Sequence, residues 1–151
     1  MVPLKAVLTG LLCGCCLAWA AEAADGDVLA VCGPLVGVSH LVQGDGVNNV
    51  QTGGDLGRMP GETHLVRVAG KPASGFDVQY EEGSALRVIS DRAADMLALE
   101  IGEERVVLAA VYPIGLVETF HFTGPELTYS RVNHEGGKSD VYTFRATCTW
   151  P

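Results

Sequence analysis

The sequence predicts an all-β domain: a single small antiparallel sandwich or barrel of about eight to ten strands with one disulfide. Three observations carry this reading. Apolar residues recur at every second position in one segment after another, the period of a half-buried strand. Gly, Pro, Asn and Asp punctuate those segments at short intervals. No stretch sustains the period of a helix, and the one helix-like patch, Ser90 to Met96, is about as long as a turn.

The elements follow in order. Val28 to Cys32 is a short first strand, and Leu35 to Val42 is a second that Gly37 weakens. His64 to Val68 alternates. Phe76 to Tyr80 alternates clearly, with Phe76, Val78 and Tyr80 on one face. Leu86 to Ile89 follows the Glu82-Gly83-Ser84 turn. Leu97, Leu99 and Ile101 share a face, with Glu100 opposite. Arg105 to Tyr112 is almost continuously apolar, as a strand buried on both faces would be. After the Pro113-Ile114-Gly115 turn, Leu116 to Thr123 returns with Leu116, Glu118, Phe120 and Phe122 on one face. Leu127 to Val132 and Val141 to Cys148 form a last hairpin around Asn133 to Gly137. Val106 to Phe122 is therefore expected to be the central hairpin, with Val107, Leu108, Val111, Phe120 and Phe122 buried.

The first residues describe the destination of the chain. Lys5, the apolar run from Ala6 to Ala20 and the small-x-small pattern Ala21-Glu22-Ala23 read as a secretory signal peptide over 1–23, leaving an exported β domain over 24–151. Leu12-Cys13-Gly14-Cys15 loosely resembles a lipobox, so the alternative is a lipoprotein anchored through Cys15. The apolar stretch continues past Cys15, which favours cleavage near Ala23. No later run approaches the ~20 apolar residues of a spanning helix, so no transmembrane segment is expected after cleavage. The compartment implied is periplasmic or extracellular.

About 127 residues then form one domain, long enough to bury a proper core. The net charge of −8 is the same with and without the leader. An acidic surface excludes nucleic acid as a natural partner and permits a basic one. Two cysteines survive cleavage, Cys32 and Cys148. In an oxidising compartment an even pair is most simply a disulfide. It would close a loop of more than 100 residues, worth at most about 5 kcal/mol in the chain-entropy model. The alternative, a metal or redox pair, has no CxxC spacing and no adjacent His to support it.

The arrangement resembles a family of small, uncharacterised exported proteins of Gram-negative bacteria. The residues that carry the likeness are Ala30-Val31-Cys32-Gly33, Gly53-Gly54-Asp55, Val111-Tyr112-Pro113 with Thr119 to Phe122, and Tyr129-Ser130 with Arg145 to Cys148. Ala146 stands where the family pattern has Gly. The resemblance spans most of the exported domain and implies location and fold; the family brings no assigned activity.

No catalytic, cofactor or metal residues are assigned. His40, His64, His121 and His134 each lie on a different segment, so no metal spacing can be read locally. Strands could bring His64 and His121 together, with Glu62 or Glu118 nearby. Asp45, Asp55, Asn48 and Asn49 offer oxygen ligands of the kind calcium takes, but not at EF-hand spacing, and turn chemistry explains them equally well. Ser39 beside His40 is a sequence neighbour only, because adjacent strand residues point to opposite faces. No GxSxG is present. Tyr80, Tyr112, Phe120, Phe122, Tyr129, Tyr142 and Phe144 suit either an ordinary core or the wall of a ligand cavity.

Gln43 to Gly61 is the exceptional segment, with six glycines among turn residues, and reads as a long loop. The function expected is a non-enzymatic binding or interaction module of the cell envelope, acting on a basic protein or a small ligand. Its candidate contacts are Asp45, Asn48, Asn49, Asp55 and Arg58 on that loop. The alternative is a metal-dependent or hydrolytic enzyme using the scattered His and Glu residues.

Overall fold

The computed structural model describes residues 26–43, 46–54, 61–70, 72–93, 95–135 and 138–151. The segment read as a signal peptide, Cys15, Asp45, Asp55 and Arg58 lie outside them. The described chain is all-β, with eleven strands in one curled antiparallel half-barrel sheet. Its strands are β1 (Asp27–Cys32), β2 (Val36–Gln43), β3 (Gly46–Gly54), β4 (Thr63–Arg67), β5 (Phe76–Glu82), β6 (Ala85–Val88), β7 (Asp95–Gly102), β8 (Arg105–Val111), β9 (Leu116–Thr123), β10 (Glu126–Glu135) and β11 (Lys138–Thr149). The helix-like patch is a single 3-10 turn, Ile89–Asp91.

The main path runs β6-β5-β4-β1-β11-β10-β9-β8-β7, and β2 and β3 form a side wing on β11. Consecutive hairpins build the meander from β7 to β11, with short turns joining β7 to β8, β8 to β9 and β9 to β10. At Pro113-Ile114-Gly115, Gly115 takes φ +78°, and an added Cβ would meet the His134 carbonyl at 3.2 Å, so glycine suits the site twice over. Val106 to Ala110 are buried on both faces of β8, as the continuous apolar run implied. Val107, Leu108, Phe120 and Phe122 are buried as expected, and Val111 is half-buried.

β1 and β2 are one long strand interrupted at Gly33-Pro34-Leu35. Both run antiparallel to the same edge of β11: Cys32 faces Cys148, and Val36 to Gln43 face Arg145 to Lys138. Proline cannot donate to the ladder. Around it the chain changes sides, so that β1 turns its other edge to β4 and β2 turns its own to β3. Gly37 is required just after the interruption. A Cβ there would lie 2.8 Å from the Phe144 ring and collide with the Thr143 carbonyl.

Two expectations are corrected. Gln43 to Gly61 is not wholly a loop: Gly46–Gly54 is strand β3, paired with β2 from Gln43↔Gly46 to Val36↔Gly54. Its composition argues for turns, but the unpaired edge of β2 recruits it, and cross-strand pairing outweighs local preference. Leu97, Leu99 and Ile101 do not share a face. A bulge between Ala98 and Glu100 adds one residue, so Leu97 pairs with Ala109 while Ile101 pairs with Val106, on the other face of β8. All three are exposed on this edge strand, and Met96 supplies the buried contact.

The core lies inside the curl. Leu65, Phe76, Val78, Tyr80 and Ile89 from the β4–β6 wing face Val106, Leu108, Phe120, Phe122, Leu127, Tyr129 and Phe144 from the meander. Truncating an aromatic such as Phe120 in a core of this kind costs about 3–5 kcal/mol. Phe120, Tyr129 and Phe144 adjoin across three strands, with centroids 5.2 and 6.1 Å apart.

The disulfide between Cys32 and Cys148 forms as expected, across a directly opposed pair with Cα atoms 4.0 Å apart. The Cys148 amide donates to the Pro125 carbonyl at 2.8 Å. Close by, the Trp150 indole donates to the Gly124 carbonyl at 2.5 Å. Sequence separation of 116 makes the bridge a tie between distant parts of the chain. Under oxidising conditions, Cys148→Ser should lower stability by about 2–5 kcal/mol in denaturant titration.

Asp77 anchors the 3-10 turn from β5. Its carboxylate accepts the Val78 amide at 2.8 Å, the Ser90 amide at 3.2 Å and the Ser90 hydroxyl. Burial pushes its carboxyl above the usual carboxylate range, these hydrogen bonds pull it part of the way back, and Asp91 adds to the rise. A carboxyl raised in the folded state holds its proton more tightly there than in the unfolded chain. Its contribution to stability is therefore full below the ordinary aspartate value of 3.8 and is lost as pH rises through the folded value. Asp77→Asn cannot ionise. The wild type should lose stability relative to this variant as pH rises from the ordinary aspartate value of 3.8 through the raised folded value, in matched urea titrations; an unchanged difference would refute the assignment.

Candidate functional site

The concave face of the meander changes character along its strands. Neighbours in register give successive rows across the sheet. Val106, Phe122, Leu127 and Ala146 form one apolar row, and Leu108, Phe120, Tyr129 and Phe144 the next. The row after that is Ala110, Glu118, Arg131 and Tyr142, and then come Leu116, Asn133 and Asp140. The apolar rows lie toward the disulfide. The polar rows lie toward the β8–β9 and β10–β11 hairpin tips.

Glu118 is the first unusual residue. It sits on the same strand face as Leu116, Phe120 and Phe122 and is fully buried. A carboxylate taken out of water needs donors. The Tyr112 hydroxyl donates to Glu118 Oε2 at 2.5 Å, and the Tyr129 hydroxyl donates to Oε1 at 2.9 Å. Hydrogen bonds to a charged acceptor are the stronger kind.

Arg131 is the second. It is the direct cross-strand neighbour of Glu118 on one side and of Tyr142 on the other. Its guanidinium lies 5.5 Å from the Tyr142 ring centroid, within cation–π range. Arg131 forms no ion pair with a described carboxylate, and its Nε is buried with no hydrogen-bond partner among the described residues. Two residues on along β10, Asn133 Oδ1 is in the same state. One is an unused donor and the other an unused acceptor, on one face of one strand. Buried polar atoms are nearly always satisfied, so two orphans side by side call for an explanation.

The other sequence candidates are not assembled. Asn48 and Asn49 lie on β3, and their side chains are outside what the structure describes. By register Asn49 faces Leu41, which faces Asp140, so β3 extends the sheet beside the polar rows. His64 and His121 are not brought together: β4 and β9 are separated by β1, β11 and β10. His64 Nε2 lies 3.3 Å from Glu62 Oε2, His121 is exposed, and His134 Nδ1 contacts Ser139 Oγ at 2.7 Å. Among the described residues no group of three His, Cys, Asp or Glu side chains could hold a metal ion. An open cleft of about 490 Å³ lies beside the β1–β2 interruption. Its charged residues, Arg145 and Glu126, pair with each other at 3.8 Å, and no buried side-chain polar atom among the described residues there is unpartnered.

In the sequence Glu118 stands out by sharing a face with Phe120 and Phe122 and by its nearness to histidines, the tyrosines stand out as aromatics, and Asn133 reads as a turn residue; Arg131 is not singled out. The available signal was phase: Leu127, Tyr129, Arg131 and Asn133 share one face of a strand whose other residues on that face are core.

No family model, curated protein or solved structure matches the chain. Among the described residues no helix is long and apolar enough to cross a membrane.

The clasp on Glu118 has a measurable consequence. Tyr129→Phe removes one donor from a buried carboxylate and should cost about 1–3 kcal/mol in denaturant titration. A variant as stable as the wild type would show that the hydrogen bond contributes nothing.

Proposed function

We propose that the chain is an exported, non-enzymatic binding module that takes a small ligand at the polar, hairpin-tip end of its concave face. The observation that carries this is the pair of buried atoms without a partner among the described residues, Arg131 Nε and Asn133 Oδ1. In a folded protein such atoms are a standing cost of about 1–3 kcal/mol each. A ligand that supplies an acceptor to one and a donor to the other removes that cost on binding. The surroundings favour a ligand-binding role. An apolar floor of Phe120, Tyr129 and Phe144 lies beside a few convergent polar groups, the usual composition of small-molecule sites and of the mouths of β-barrels. Tyr129 and Tyr112 hold Glu118 in place, so the site is pre-formed. Export is supported by the leader-like first residues and by a disulfide that suits an oxidising compartment.

The test is a titration of isotope-labelled protein with a small-molecule extract of the source cells' envelope. Resonance shifts should concentrate at Arg131 Nε–H and the Asn133 side chain. Affinity in Arg131→Met should fall by about tenfold to a hundredfold, the loss expected for a hydrogen bond to a charged group. An extract that leaves these resonances in place refutes the reading.

A further inference from the structure

We infer that the ligand of this site is a free α-amino acid, bound as the zwitterion. The inference rests on the reading of the polar rows as a ligand site and adds the chemistry of the occupant. Arg131 presents a buried Nε–H with no acceptor among the described residues, and its guanidinium is steadied against Tyr142. The edge of a guanidinium that includes Nε matches a carboxylate with two parallel hydrogen bonds, a geometry a point cation such as lysine lacks. Arg131 finds no such partner within the described protein: although Glu118 is its cross-strand neighbour, that carboxylate is turned to Tyr112 and Tyr129. The group that suits this Nε–H is therefore an anionic acceptor.

Asn133 Oδ1 calls for the opposite group. It is an acceptor, so it needs an N–H or O–H donor. Its cross-strand neighbour on the same face is Asp140, which is only half-buried. An amide oxygen beside a carboxylate is suited to an ammonium group. Residues two apart on a strand face are about 7 Å apart at their Cα atoms, a separation that two polar side chains on that face can span through one small ligand. A molecule carrying carboxylate and ammonium on one carbon satisfies Arg131 and Asn133 together. Simple carboxylates leave Asn133 unsatisfied, and simple amines leave Arg131 so. The −8 net charge of the protein adds a general bias against a ligand that is only anionic.

The experiment titrates the labelled protein with an equimolar pool of the common L-α-amino acids. Propionate, propylamine, inorganic phosphate and the methyl esters of the same pool are run in parallel. The pool should shift both Arg131 Nε–H and the Asn133 side chain, at least tenfold more tightly than any of the four controls. Asn133→Leu should bind the pool no better than propionate. Propionate or phosphate matching the pool would overturn the zwitterion and leave an anion site. No response to the pool, with a response to the envelope extract, would overturn the amino acid and leave the ligand site standing. No response to either would remove both.

Discussion

Strand β11 is hydrogen-bonded along both edges, and the rest of the molecule is arranged by that fact. One edge carries β10 from Lys138 to Thr147. The other carries β2 as far as Arg145 and then β1 at Cys148 and Thr149. One strand of twelve residues therefore joins three parts of the sheet: the meander, the β2–β3 wing and the β1-β4-β5-β6 wing. The curl that encloses the core exists because β1 departs from β2 at Gly33-Pro34. The disulfide sits at that departure, where few ladder bonds hold β1 to β11.

The concave face then divides by position along β9, β10 and β11. Near the disulfide it is a packed aromatic and aliphatic core. Toward the hairpin tips the same strand phases carry Glu118, Arg131, Tyr142, Asn133 and Asp140. In a low-dielectric setting, polar networks are strong when complete and costly when incomplete. Glu118 with its two tyrosines illustrates the first case. Arg131 Nε and Asn133 Oδ1 illustrate the second: both atoms are buried, on residues that are themselves only half-buried.

Much of the fold was legible in the sequence, because period-two alternation and turn residues are local. β5, β8 and β9 stood where their patterns put them, and the cysteine pair needed no more than arithmetic and a compartment. β3 was not legible, since Gly53, Gly54 and Asn48 speak locally for a loop and only the edge of β2 makes them a strand. The phase of β7 was misleading, because a single bulged residue reverses inside and outside for everything after it. The candidate site was the least legible part. Glu118, Arg131 and Tyr142 are neighbours only through the registers of three strands. A reader of the sequence had one clue: a Glu and an Arg, each placed on the apolar phase of its own strand.

The double pairing of β11 also sets a timetable. During synthesis, β1 and β2 emerge long before the strand they share, which is the last of those described. The β2–β3 and β4–β5 hairpins can form early, but short isolated hairpins are marginal in water. The joint that unites them waits for residues 138–149. Contacts between such distant parts of a chain also make folding intrinsically slow. The first strands thus stay without their shared partner until the last described strand is made. A chain proposed for export benefits from that delay, since translocation needs an extended substrate and a premature fold would block it.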